Sequence, residues 1–284
     1  MTPPPEVVEC TEVLRPEPAA ALAGLLGVDL PDLEADGLPL LWHWVYLLAR
    51  PPRQDLGADG HPVRGVLPAP PGPGRRRMAA GGRVTRVAPL ILGREATRRT
   101  ETVSAEEKEG RSGRLSFVVV RHTISQDGEL KVVEDQDVVY RDAATTPTEV
   151  ASAAPVPPGE GEWSIPVDPV LLFRFSALTY NAHRIHYDRD YARDVEGYPG
   201  LVTHGPLQAL AMAESVRRTG ATATAIDYRV VSPLFDHQGL VVSSTRSSSR
   251  REASVRDLSG RVTANARIEL SQSNDRHEPV KGIE

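Results

Sequence analysis

The order of the predicted elements repeats in this 284-residue sequence, and the repeat restricts the fold more than any other feature. In each half, apolar residues at helical spacing come first, and about four segments follow in which β-branched residues alternate with polar ones between Gly breaks. The halves share this order but little sequence identity. A long helix that packs against an antiparallel sheet forms an α+β module. The sequence therefore predicts two such modules, whose exposed sheet edges could pair with each other.

In the first half, two predicted helices and a long loop precede the strands. Residues 17–26 are predicted to form a short helix, and Leu38–Arg50 a buried one with His43 packed in the core. Residues 51–76 are rich in Pro, Gly and Arg, which predicts an irregular loop. The predicted strands of this half are 82–93, 96–110, 114–128 and 129–142.

A Pro-rich stretch of small residues divides the chain. We predict an N-terminal domain at 1–145, a linker at 146–164 and a C-terminal domain at 165–284. The C-terminal domain opens with a helix at 168–180, for which Asp168 is the predicted N-cap, and it has its strongest helix at 206–219. The predicted strands of this half are 223–235, 239–249, 251–260 and 261–274.

The segment from residue 173 to residue 210 is the part of the sequence that indicates chemistry. Asn181, His183 and His186 lie within six residues, and His204 and Gly205 follow about twenty residues later, where a helix is predicted to begin. A histidine-rich turn supplies a base, and a helix that opens with Gly supplies free backbone N–H groups. This pair suits chemistry beside a carbonyl, because one group moves a proton while the amides stabilise the negative charge that grows on the oxygen.

The composition argues against several other classes of protein. The formal net charge of −5 provides no basic field for nucleic acid. Cys10 is the one cysteine, so no intramolecular disulfide is possible, as is usual in a reducing compartment. The N-terminus lacks the pattern of a signal peptide, and the longest apolar stretch is too short to span a bilayer. We therefore expect a cytoplasmic protein with neither a nucleic-acid nor a membrane partner.

The C-terminal motif resembles that of the MaoC-like, hotdog-fold enoyl-thioester hydratases. Their pattern is Asp-x-Asn-Pro-Ile-His-x-Asp, followed by His-Gly-Met-Leu at the start of the central helix. The corresponding runs here are NAHRIHYD at 181–188 and HGPL at 204–207. The two-hotdog branch, which includes mesaconyl-C4-CoA hydratases and type 2 hydroxyacyl-thioester dehydratases, is more similar still. Its N-terminal half has runs like LWHWVYLL, DGHPVRGVLP and GRSGRLSFVVVRHTI, so the resemblance extends from about residue 38 to residue 269.

This resemblance implies a double hotdog, in which two antiparallel sheets each wrap around a central helix and one active site lies at the seam. It implies a hydro-lyase that interconverts 2-enoyl and 3-hydroxyacyl thioesters of coenzyme A or of an acyl-carrier protein. Two types of substrate stay open, a short dicarboxylic CoA thioester such as mesaconyl-C4-CoA and a fatty or polyketide acyl chain; a buried arginine facing the acyl end would favour the first, and a long apolar tunnel the second. The thioester belongs to the substrate, so no cofactor is expected. A homodimer is expected by analogy with the family alone.

The resemblance also assigns roles to residues of the motif. His186 takes the position of the catalytic histidine, and the Gly205 N–H is expected to bind the thioester carbonyl. Asn181 replaces the family's catalytic aspartate, and an amide cannot exchange a proton as a carboxyl group does. Asn181 therefore either orients water or only caps the turn. His183 either supplies the missing titrating group or fixes the loop by a hydrogen bond.

Other charged residues and other functions are weaker candidates. Arg184, Arg189 and His204 are predicted to bind substrate, and Arg75–Arg77 either contact a phosphate or a carrier protein or lie in a solvated loop. No metal is expected at the His-x-x-His pair, because Cys or Glu ligands are missing at suitable spacing. A thioesterase, with Glu214 as its carboxylate, and a non-catalytic thioester-binding subunit are the alternatives. The first half has no counterpart of the motif and is expected to widen the acyl tunnel.

Overall fold

The strands of both halves join in one ten-stranded antiparallel sheet, in the order β1-β3-β4-β5-β2-β7-β10-β9-β8-β6. The computed structural model describes residues 7–67, 75–110, 113–142, 154–247 and 249–271. The strands of the first half are β1 (Val7–Val13), β2 (Arg75–Arg86), β3 (Glu95–Gly110), β4 (Gly113–Gln126) and β5 (Glu129–Asp142). Those of the second half are β6 (Trp163–Ile165), β7 (Ala223–Val230), β8 (Leu240–Ser247), β9 (Arg250–Arg256) and β10 (Val262–Leu270). The helices are α1 (Pro16–Leu26), α2 (Pro169–Leu178) and α3 (Gly205–Arg217).

The order of the second five strands mirrors the order of the first five about the β2–β7 pair. This pair runs from Gly81 opposite Arg229 to Thr85 opposite Ala225, so the two modules meet along a hydrogen-bonded edge as predicted. The approach at this seam is close, because a Cβ atom at Gly81 would lie 2.3 Å from the carbonyl oxygen of Tyr228. The two joined sheets have the architecture of the α+β double hotdog that the sequence implied, although among the described residues only the second sheet packs on a long central helix.

The central helix of the second module is α3. Its side chains are buried along nearly the whole helix, including Leu207, Leu210 and Met212, each 0% exposed, and it packs against β7, β8, β9 and β10. Its predicted start at Pro206 is correct to within one residue. The other predicted helix of this half is confirmed as α2, where the Asp168 side chain accepts a hydrogen bond from the Leu171 N–H at 2.7 Å.

The predicted helix at Leu38–Arg50 is wrong. The segment forms a single 3-10 turn at Trp42–Val45, and the backbone angles φ of Leu41 and Leu47 are +71° and +53°. A right-handed helix cannot contain such residues. The apolar side chains are buried as expected, which explains why their spacing imitated a helix. Among the residues that the structure describes, the first module therefore has no counterpart of α3, and the long central helix belongs to the second sheet.

Three further differences concern strands and boundaries. Arg75–Arg77 begin β2 and do not lie in the loop predicted at 51–76. The short edge strands β1 and β6 carry too little apolar alternation to have been predicted. Part of the predicted linker, residues 146–153, lies outside the described residues, and the division into domains stays a prediction. Within the described ranges, no helix has the length and apolar character needed to cross a bilayer.

Candidate active site

A cleft with a volume of about 1890 Å³ extends along the seam, and both modules line it. The second module contributes the histidine motif and the start of α3. The first module contributes β2 and the loop 55–67, together with the segment around His43 and Trp44 that was predicted to be helical. The expected widening of an acyl tunnel by the first module stays a prediction.

Four histidine rings follow one another in contact at one wall of this cleft, and we call them the imidazole row. The ring centroids of His61 and His183 are 3.9 Å apart, those of His183 and His186 are 5.4 Å apart, and those of His186 and His204 are 3.6 Å apart. His183, His186 and His204 are 8%, 7% and 1% exposed. The motif spacing therefore does bring its histidines together, and the fold adds one from the first module.

His186 lies in a 3-10 turn, Arg184–His186, that brings its ring against the segment leading into α3. Its Nδ1 is 2.6 Å from the carbonyl oxygen of Val202. A carbonyl oxygen can only accept, so Nδ1 carries the proton and Nε2 keeps a free lone pair. Burial lowers the pKa of His186 to about 4. The ring is therefore a neutral base at neutral pH, and it lines the cleft.

His204 supports this ring without lining the cleft. It stacks on His186 with an angle of 18° between the ring planes, and its Nε2 lies 2.9 Å from the Ser176 hydroxyl. Burial holds the pKa of His204 well below its ordinary value, so the stacked pair is uncharged. These contacts favour a positioning role, and binding of substrate by His204 stays a prediction.

Asn181 makes the contact of a turn cap. Its side-chain Oδ1 accepts the backbone N–H of His183 at 2.9 Å, and its own backbone N–H donates to the Ser176 carbonyl at 2.8 Å. Asn181 also lines the cleft, so its part in orienting water stays a prediction. The amide at this position cannot act as a proton donor in the way that a carboxyl group does, whichever role it has.

Gly205 is the first residue of α3 and lies in the cleft wall. An N–H at the first position of a helix has no intrahelical acceptor and lies at the positive end of the helix dipole. A Cβ atom at this position would lie 2.9 Å from Cγ2 of Val230, so tight packing also favours glycine. The expected role of the Gly205 N–H toward a carbonyl oxygen is compatible with this placement and stays a prediction.

The first module contributes a hydrogen-bonded acid–base pair to the site, Asp59 and His61. This pair was not predicted from the sequence. Oδ2 of Asp59 lies 3.0 Å from Nδ1 of His61, and Oδ1 accepts the His61 backbone N–H at 2.9 Å. The carboxylate accepts, so Nδ1 carries the proton and the Nε2 atom of His61 keeps its lone pair. The DGHPVRGVLP run was the available signal, but no spacing rule connects it to a motif about 120 residues away.

The loop that carries this pair is docked directly on the histidine motif. The Arg184 N–H donates to the Asp59 carbonyl at 2.9 Å. Gly60 has φ +88°, and a Cβ atom there would lie 1.8 Å from the Ala182 carbonyl oxygen. Only glycine permits this approach of two backbones. The site is therefore assembled from both modules.

Burial and neighbouring groups determine the charges of the imidazole row and of Asp59. Burial, together with the neighbouring His61, His186 and Arg77, lowers the pKa of His183. Burial also lowers the pKa of His61, although Asp59 opposes this effect. Burial raises the pKa of Asp59, but its hydrogen bonds with His61 outweigh burial and leave the pKa below its ordinary value. At neutral pH the row is uncharged, and Asp59 is ionised.

The comparison with known families decides where this chain belongs. The family model for hydroxyacyl-thioester dehydratase type 2 matches residues 41–236. The chain belongs to this family. It is therefore an enzyme of the hydro-lyase type. A mesaconyl-C(4)-CoA hydratase from Chloroflexus aurantiacus is 43% identical over 239 residues, which cover 82% of this chain and 84% of the relative.

Solved structures agree on the fold of this type 2 dehydratase family member. A MaoC-like dehydratase from Phytophthora capsici is 14% identical with a TM-score of 0.68, and the match covers 96% of this chain and 97% of that one. A Mycobacterium tuberculosis protein described as a double hotdog is 14% identical with a TM-score of 0.54, and the match covers 94% and 95% of the two chains. At these identities the likeness shows the fold alone.

Two arginines that were predicted to bind substrate do not line the cleft of this family member. Arg184 pairs with Asp188 at 2.8 Å, and its guanidinium carbon lies 4.1 Å from the centre of the Tyr191 ring. Arg189 pairs with the buried Asp236. These contacts hold the motif loop in place, and a substrate-binding role for either arginine stays a prediction.

One group of side chains in the cleft has the composition of a metal site. Asp59, His61 and His183 present ligand atoms within 4.8 Å of one another. Asp59 and His61 are joined to each other by a hydrogen bond through Nδ1 of His61. The expectation that no metal takes part stays a prediction.

Proposed function

We propose that this chain reversibly adds water across the 2,3-double bond of a short 2-enoyl-CoA, of which mesaconyl-C4-CoA is one type. The observation that carries the proposal is that the base His186 and the free N–H at the start of α3 line one cleft. The Chloroflexus relative, named for a CoA substrate, supports CoA over an acyl-carrier protein. Water addition is redox-neutral, and in this proposal His186 moves the proton and the Gly205 N–H stabilises the charge on the thioester oxygen, so neither a metal nor a redox cofactor is part of it.

In the proposed reaction, Nε2 of His186 accepts a proton from water while the water oxygen bonds to C3. The electron pair of the double bond moves toward C1, and the charge that grows on the thioester oxygen is stabilised by the Gly205 N–H. The imidazolium then returns its proton to C2, so one water is added and His186 is neutral again. Dehydration follows the same steps in reverse.

The Asp59–His61 pair compensates for the amide at position 181. A positive charge on the imidazole row, which arises when His186 takes the proton, needs a nearby negative charge in so buried a site. Asp59 is a negatively charged group that contacts the row through His61. We propose that His61 transmits this stabilisation to His183, and that the carboxylate of the first module thus supplies the electrostatic stabilisation that Asn181 cannot.

Assays of the hydration of crotonyl-CoA and mesaconyl-C4-CoA test the proposal. The reaction is monitored as the loss of the enoyl-thioester absorbance, in the presence of a chelator. We expect turnover without release of free thiol. Thiol release without a hydrated product would instead show a thioesterase, and binding without turnover would show the non-catalytic subunit. A parallel assay with crotonyl-acyl-carrier protein tests the choice of CoA, and sedimentation tests the expected homodimer.

Glu214, the carboxylate expected for the thioesterase alternative, lies outside the cleft. This residue is 2% exposed. It pairs with Arg217 and accepts a hydrogen bond from Nε1 of Trp42 at 3.4 Å. These contacts give Glu214 a structural role between α3 and the first module.

The dependence of hydration on pH provides another prediction. The mechanism needs neutral His186, which is present above its pKa and is lost as the pH falls through that pKa. Because burial lowers this pKa to about 4, we expect kcat/KM to stay level from about pH 8 to about pH 5.5 and to fall only at lower pH. A fall of kcat/KM with a midpoint at about pH 6.5, the ordinary pKa of histidine, would contradict the buried environment that the structure gives to His186.

A further inference from the structure

One cation in the wall of the cleft is buried and incompletely satisfied. Arg77, on β2, is 7% exposed, and within the described part of the chain its Nη1 has no hydrogen-bond partner. Its side chain lines the cleft. A buried charge with unmet donors is costly unless something completes it, so this guanidinium indicates a place for an anion.

The neighbours of Arg77 fix its location relative to the reacting groups. It lies close enough to His61 and His183 to lower the pKa of both rings. On the adjacent strand, opposite Arg77 in register, Tyr140 shares a hydrogen bond with it. The guanidinium is therefore beside the imidazole row and is held there by β5.

The nearby carboxylates are already engaged. Glu196 pairs with Arg76 at 2.6 Å, where both side chains are 9% exposed. Asp59 is close enough to Arg77 for the guanidinium to lower its pKa, but both of its oxygens accept hydrogen bonds from His61 and neither bonds to Arg77. Arg98 and Arg141 also line the cleft and have an unsatisfied nitrogen, but they lie beside the charges of Glu134 and Glu196. Of these described cleft arginines, Arg77 is thus the one that combines an unmet donor with a position at the row.

We propose that Arg77 binds a carboxylate carried by the substrate on C3, so that the preferred substrates are CoA monothioesters of short unsaturated dicarboxylic acids. This inference rests on the proposed function. A guanidinium and a carboxylate make paired, charge-assisted hydrogen bonds, which place the carboxylate in one orientation. With the carboxylate beside the row, C3 is the carbon nearest to the base that activates water.

Two substrates that differ only at this group test the inference. The CoA monothioester of trans-butenedioic acid has a carboxylate on C3, and crotonyl-CoA has a methyl group in its place. For wild type we expect kcat/KM to favour the dicarboxylic substrate. In Arg77→Gln this preference should fall by about 100-fold, because the variant has no positive charge to pair with the carboxylate of the substrate. Arg77→Lys keeps the positive charge but cannot donate the two parallel hydrogen bonds of a guanidinium, so it should retain part of the preference.

Arg83→Gln is the matched control, because Arg83 lies on the same strand but pairs with Asp137 and is 48% exposed. The preference should be the same in this variant as in wild type. Turnover of crotonyl-CoA by Arg77→Gln reports that the variant is folded. Equal losses on both substrates, or a wild type that favours crotonyl-CoA, would overturn the inference. Failure of wild type on both substrates would instead remove the proposed function.

Discussion

Replacing His186 by alanine is expected to lower kcat for hydration by about 10³-fold, because the variant loses its general base. The structure shows why His204 and His61 do not take over. The Val202 carbonyl fixes the tautomer of His186, so the lone pair of Nε2 is available without any rearrangement. His204 uses Nε2 on Ser176 and lies outside the cleft wall, and the free lone pair of His61 is two rings away.

The control for this variant is His237→Ala, which removes a surface histidine that is 54% exposed and lies outside the cleft. We expect near-wild-type kcat for the control. The thermal unfolding temperature of both variants is measured as well, because loss of the stacked ring would lower stability, whereas loss of the base alone would lower only kcat. If His186→Ala kept more than about a tenth of wild-type kcat while His237→Ala was normal, general-base catalysis by His186 would be excluded.

The second half of the site was more predictable from sequence than the first. His183 and His186 are three residues apart, so local geometry brings them together, and Gly205 begins a helix because His204-Gly205-Pro206 is a strong helix start. The position of Asp59 and His61 in the site could not be predicted in this way, because it depends on a loop that docks across the seam in the tertiary fold. Nothing in their local sequence says which surface the loop meets.

The error at Leu38–Arg50 has the same origin. Burial of Trp42 and Tyr46 gives the segment a helix-like pattern, but a pattern records burial and not backbone angles. In the same way, the Arg75–Arg77 run has the composition of a solvated loop, yet in the fold Arg77 is buried on β2. Its environment depends on strand pairing with β5, which residue type alone cannot indicate.

Gly60→Ala is expected to reduce kcat/KM by about 100-fold although Gly60 carries no functional group, since small displacements of catalytic groups have effects of this size. The added Cβ would lie 1.8 Å from the carbonyl oxygen of Ala182, and because that oxygen belongs to the backbone, no side-chain rotation can relieve the clash. The loop must therefore move away from the motif, and the Asp59–His61 pair moves with it. His61 then loses its contact with His183, and the row loses its negative charge.

Gly65→Ala separates this effect from simple backbone strain. Gly65 lies in the same loop with φ +105°, but a Cβ atom added there would have no other atom within 4 Å. Both alanines are strained at a positive φ, at a cost of about 1 kcal/mol or more in the free energy of unfolding. Only the substitution at residue 60 pushes the two modules apart at the site. We therefore expect both variants to be destabilised, Gly60→Ala the more because of its clash, and a large loss of kcat/KM in Gly60→Ala alone. Equal activity of the two variants would show that the contact between the loop and the motif has no part in catalysis.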